Sequence, residues 1–181
     1  MRTGITKLSP LRVVMLVMWA TLGVTACFVR AQQSAPFHLQ EATIAGIHRA
    51  FSVGGLTCAQ LTRAYLDRIE AYNLKGPALR AIINVNPRAM DAAAEKDRQY
   101  KANPSGVGSL HCVPIILKDN FNTADMPTTA GNVGMRTSQP STDAFTVAKI
   151  RGAGALILGK ANMSEFARGG MSLSGLGGQV L

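Results

Sequence analysis

Residues 114–132 read PIILKDNFNTADMPTTAGN. A proline-led apolar run ends at Leu117, delivers the charged pair Lys118 and Asp119, and passes into a loop rich in Asn, Thr, Pro and Gly. Extended backward, CVPIIL (112–117) is short, continuous and apolar, the pattern of a buried strand. Extended forward, Thr123, Pro127, Thr128, Thr129, Gly131, Asn132 and Gly134 supply turn chemistry. Ser141 or Thr142 then caps a helix to about Arg151, Gly152 and Gly154 end it, and ALIL (155–158) is the next buried strand. Strand, helix and strand in that order predict a right-handed crossover and a largely parallel sheet covered by helices, so the class is α/β.

Upstream, apolar residues recur at helical spacing from Leu39 to Phe51, and Gly54-Gly55 stops the pattern. Thr57 and Gln60 have the spacing of a capping box, and Leu61, Ala64, Tyr65, Ile69 and Tyr72 mark one face of a helix from Cys58 to Tyr72. LRAIINVN (79–86) is rich in β-branched residues and reads as a strand. Asn86-Pro87 is a natural cap and first turn for a helix through Tyr100, followed by a turn at NPSG (103–106). The sequence has no internal repeats.

The chain has 181 residues and a formal charge of +9. Four of its basic residues, Arg2, Lys7, Arg12 and Arg30, precede residue 32, where no acid occurs. The remaining 15 basic and 10 acidic residues are scattered singly with little aromatic interleaving, which argues against a nucleic-acid partner. The N-terminal charges flank an uncharged apolar stretch, residues 13–29, and Val29-Arg30-Ala31 offers a cleavage site. Residues 1–31 therefore read as an export signal, which places residues 32–181 in the periplasm or outside the cell. Two alternatives stand. Residues 13–29 approach the length of a membrane anchor, the one route to membrane contact, and VTAC (24–27) has the form of a lipobox that would lipidate Cys27.

Past Ala31 only Cys58 and Cys112 remain, at a spacing that fits no metal motif. They are read as two buried thiols behaving as small hydrophobes, with a single disulfide as the alternative. His38, His48 and His111 share no ligand spacing and are expected on the surface or on helices. Spacing alone makes Lys118 an exposed lysine, with Asp119 and Asn120 turning the chain. The glycines of 169–178 lack the signature of a phosphate cradle and read as a loop.

Taken together, PIILKDNF, MPTTAGN and GALILGKANMSEFARGG resemble the amidase signature family of serine hydrolases. The resemblance runs through most of residues 32–181, including the unit DAFTVAKIRGAGALILGK. It implies that fold, a largely parallel or mixed sheet covered by helices, seen here as the N-terminal part of the amidase domain. It implies that Lys118 is the base of a Ser, cis-Ser, Lys triad, held uncharged in a water-poor floor, and that Ala167, Arg168, Gly169 and Gly170 line the substrate channel. The implied reaction is hydrolysis of a small-molecule amide through an acyl-enzyme, with no metal or organic cofactor.

The family's glycine-serine-serine-glycine stretch, nucleophile and oxyanion amides lie beyond Leu181, so this chain alone is expected to be inactive. Ser172 and Ser174 stand where the family has a channel loop and do not fit a Gly-x-Ser-x-Gly elbow, so neither is taken as nucleophile. Lys160 and Glu165 resemble family positions but read equally as a structural ion pair or solvated side chains. The amidotransferase component that works on charged transfer RNA shares these motifs, and the export signal argues against it. From another class, the rival is a non-catalytic exported or membrane-anchored binding module with an amidase-like outline. The oligomeric state is not legible.

Overall fold

The computed structural model describes residues 37–181. The expected export signal or anchor and the lipobox cysteine lie outside them. Thr43 starts α1 (Ile44–Ser52) by accepting the Gly46 amide on its hydroxyl at 3.0 Å. Periodicity placed that start near Leu39. Leu39 and Ala42 do pack on the core, but from non-helical chain before the cap. α2 (Cys58–Tyr72) has the predicted limits, and both halves of its capping box form. β1 (Ile82–Val85), α3 (Ala89–Ala102) and β2 (Pro114–Lys118) follow. α4 (Phe145–Gly152), β3 (Leu156–Ala161) and a small hairpin of β4 (Leu173–Ser174) and β5 (Gly178–Gln179) complete the order.

Neither Ser141 nor Thr142 caps α4. Its N-cap is Ala144, which has no side-chain acceptor, while Asp143 accepts the Ala124 amide at 2.8 Å and pairs with Arg151. The connection before α4 is thus tied down by tertiary bonds where a local cap was expected.

The three-stranded sheet has the order β1-β3-β2 and is mixed. β2 runs parallel to β3, from Pro114 beside Leu156 to Lys118 beside Ala161, as the crossover pattern predicted. β1 runs antiparallel on the other side of β3. Alternation along β3 sends Leu156 and Leu158 into one core and Ile157 into another. The first core joins them to Ile47 and Phe51 of α1, Leu61 of α2 and Ala89 and Ala93 of α3. The second packs Ile157 against Leu117, Met126 and Val147 of α4. Helices therefore cover both faces of the sheet, which is the predicted α/β class.

Cys58 and Cys112 form a disulfide, with Cα atoms 5.7 Å apart, so the reading as two free thiols is corrected. The bridge lies inside the first core, tying the start of α2 to the chain entering β2. His111 corrects a second expectation. It is buried, stacked on Tyr100 with ring centroids 5.6 Å apart, and its carbonyl contacts His48 Nε2 at 3.1 Å. His38 is exposed, and His48 sits half-buried on α1.

Candidate active site

Parallel strands direct their carboxyl ends toward one edge of a sheet, and ligand chemistry collects there. Here that edge carries Lys118 at the end of β2 and Ala161 and Asn162 at the end of β3. Burial alternates along this stretch: Leu117 and Asp119 turn inward, and Ile116, Lys118 and Asn120 outward. Lys118 is therefore exposed among the described residues, as its spacing suggested, and these residues alone do not form the water-poor floor that the family resemblance implied. Its Nζ donates to the Asn162 carbonyl at 2.8 Å.

Asp119 does the opposite of turning the chain in solvent. It is wholly buried, and its Oδ2 accepts the amides of Thr129 at 3.2 Å and Gly131 at 3.4 Å as well as the Thr129 hydroxyl. Its Oδ1 lies 3.4 Å from Nζ of Lys160, also wholly buried. Lys160 donates further to Thr128 Oγ1 at 3.0 Å and the Pro127 carbonyl at 3.4 Å. Of the two readings open for Lys160, the structural ion pair is the one observed, with Asp119 as its partner and not Glu165. Burial pushes the Lys160 amine below the ordinary lysine range, against the pull of the Asp119 carboxylate in the other direction. The threonines of MPTTAGN thus wrap a buried charge pair whose aspartate follows Lys118 in the chain.

The loop after β3 closes over this arrangement. The Phe166 amide donates to the Ala130 carbonyl at 2.9 Å, and the Leu176 amide to the Gly131 carbonyl at 3.1 Å. Gly131 has φ +74°, and a Cβ there would stand 2.8 Å from the Ser174 Cβ, so only glycine fits between the loops. Glu165 accepts from Asn132 Nδ2 at 3.0 Å and from the Gly175 amide at 2.7 Å. Ala167, Arg168, Gly169 and Gly170 are exposed on the rim that continues from Glu165, flanked by exposed Phe166 and Met171. The structure brings Lys118, Asp119, Lys160, Asn162 and Ser174 together and leaves residues 167–170 as solvent-facing rim. Ser174 is buried, its hydroxyl donating to Asn162 Oδ1 at 2.8 Å, and Ser172 lies at φ +48° in the same loop.

Sequence reasoning missed Asn162, which is 1% exposed and anchors Lys118. The only signal for it was its place two residues after the buried lysine in GKAN. A separate cleft of about 360 Å³ lies at the other end of β3, lined by Lys96, Asp125 and Arg151. Arg151 there is already engaged by Asp125 at 2.6 Å and Asp143 at 2.8 Å. Among the described residues no group of three or more His, Cys, Asp and Glu is placed to hold a metal, and no helix is long and apolar enough to cross a membrane.

The lysine at the carboxyl edge of an α/β sheet is the placement the motifs implied, and the threonine-glycine loop folded on a buried Asp119 is what they did not show. The Amidase family profile matches residues 60–181, and the chain belongs to that family. A probable amidase of Arabidopsis thaliana is 42% identical over 137 residues, covering 74% of this chain and 26% of that protein. A glutamyl-tRNA(Gln) amidotransferase component of Acidothermus cellulolyticus is 44% identical over 115 residues, covering 63% and 22%. Among solved structures, the native peptide amidase from Stenotrophomonas maltophilia superposes with a TM-score of 0.74 at 40% identity, covering 80% of this chain and 30% of that one. The chain spans about a quarter of the length of the curated relatives it matches.

Proposed function

We propose that this chain is the N-terminal portion of an exported amidase that hydrolyses a carboxylic amide of a small molecule through an acyl-enzyme, with Lys118 as general base. The observation that carries the reading is the placement of Lys118 at the carboxyl end of the parallel pair, its Nζ held on the Asn162 carbonyl, within the stretch that matches the family. In the reaction the lysine amine draws a proton through a bridging serine, the nucleophilic serine attacks the amide carbonyl, and water releases the acyl group. Residues 167–170, on the rim beyond Glu165, would border the substrate. Water reaches Lys118 in this chain, whereas a base in acyl transfer works best with water excluded. The 181-residue polypeptide, with the base and neither serine, is therefore expected to show no turnover.

Export is supported by two independent features. The N-terminal segment has basic residues followed by an apolar run, and Cys58 and Cys112 are joined in a disulfide, a bond that persists in oxidising compartments. Cytoplasmic work on charged transfer RNA fits neither feature.

The test is kinetic. In the product of the complete reading frame, Lys118→Ala should lower kcat for a simple carboxamide by roughly 10²- to 10⁴-fold. Undiminished turnover in that variant would remove Lys118 from the mechanism, and turnover by the 181-residue chain itself would refute its predicted inactivity.

A further inference from the structure

Asn162 uses every hydrogen-bonding position of its side chain. Oδ1 accepts from the Met163 amide at 2.8 Å and the Ser174 hydroxyl at 2.8 Å, while Nδ2 donates to the carbonyls of Arg80 at 3.0 Å and Gly178 at 3.1 Å. Two donors face Oδ1 and two acceptors face Nδ2, so the amide has one orientation that satisfies all four. Ser174 completes the lock by accepting the Gly177 amide at 2.8 Å. No side chain fits at Gly177, where a Cβ would stand 2.5 Å from Asn162 Oδ1.

The bond to Met163 matters most for Lys118. The Met163 N–H and the Asn162 C=O belong to one planar peptide group. When Oδ1 holds that N–H, it fixes the plane, and with it the direction of the carbonyl that receives Lys118 Nζ. The side chain of Asn162 thereby controls where its own carbonyl points.

We infer that Asn162 is the positioning residue for Lys118, and that the Ser174 hydroxyl locks it. The β4–β5 hairpin then sets where the candidate base holds its amine. The inference rests on the reading of Lys118 as base for its functional meaning, while the coupling itself is a property of this chain.

The experiment is trace labelling of amines in the 181-residue chain with acetic anhydride at about pH 9, where lysine begins to lose protons. Labelling is read peptide by peptide by mass spectrometry. Asn162→Ala and Ser174→Ala should each raise Lys118 labelling roughly 2- to 10-fold, the factor carried by one hydrogen bond. Ser174→Thr, which keeps the hydroxyl, should restore the original rate. Buried Lys160 is the internal control, because it becomes reactive only when the fold opens.

Unchanged Lys118 labelling with Lys160 still protected overturns the inference. Should Asn162→Ala open the fold, the Ser174 pair decides by the same criterion. Lys160 labelled in all three variants also overturns it, since the cluster would then be a folding element and not a positioning one. Amide turnover plays no part in the readout. A complete protein without turnover would sink the hydrolase reading and leave this coupling intact.

Discussion

Lys160 and Asp119 face each other at 3.4 Å with no exposure to solvent. Removing one partner strands the other charge in the interior, so Lys160→Ala should cost about 3–5 kcal/mol, measured as a shift in the urea midpoint. The double replacement Lys160→Met with Asp119→Leu should cost less than the sum of the two single changes. His111 offers a second test. Burial, then the charges of Lys96 and His48, push its pKa below the ordinary value of 6.5, against Asp97 and a hydrogen bond to the Lys96 backbone. The unfolded chain then takes up a proton that the folded chain resists. Stability from this group is complete above about pH 6.5 and falls as pH drops toward the lowered folded value. Denaturation midpoints between pH 8 and pH 5 should show that decline, and His111→Gln should flatten its share of it.

At the residue scale the sequence made the chemistry of Lys118 and Asp119 visible but not their orientation. Alternation decides which of two neighbours faces inward, and it can be applied only when the end of the strand is known. The apolar run ends at Leu117, whereas β2 extends to Lys118, and from there the same rule buries Asp119. Asn162 was harder to find, because its four partners come from Arg80, Met163, Ser174 and Gly178, which no local pattern unites.

The start of α2 shows what an element owes to neighbours in sequence and in space. Thr57 and Gln60 form a reciprocal cap three residues apart, which is why it was legible. No acid occurs in the first turn of α2, and the negative charge comes instead from Asp97 on α3. Its carboxylate accepts the amides of Cys58 at 2.7 Å and Ala59 at 3.0 Å. Asp97→Ala should lower stability by about 1–2 kcal/mol and Thr57→Ala by about 1 kcal/mol, read from thermal melts. The double variant should lose less than the sum of the two if the caps support one another. That Asp97 lies 39 residues from Cys58 explains why periodicity did not reveal it. The antiparallel course of β1 was hidden for the same reason, since strand direction is set by a partner distant in sequence.

Over the whole molecule, β1 and β2 each pair with β3 alone among the described residues, and both outer edges stay open. Ile116 on β2 is 42% exposed and Val85 on β1 44%. Open edges with apolar side chains invite association, so residues 32–181 should aggregate on heating and not melt as a soluble unit. A sharp reversible transition would favour the non-catalytic module. Against that tendency stands the disulfide. Reducing it, or the pair Cys58→Ser and Cys112→Ser, should cost about 2–5 kcal/mol in chemical denaturation.

That bridge also has a topological effect. Every peptide bond between Cys58 and Cys112 lies inside a closed covalent ring that encloses α2, β1 and α3, while Lys118 lies outside it. A protease that cuts the exposed turn at 103–106 opens the ring without dividing the molecule. Such a nicked chain would run as one species on a gel until reductant is added, and only then separate into two pieces.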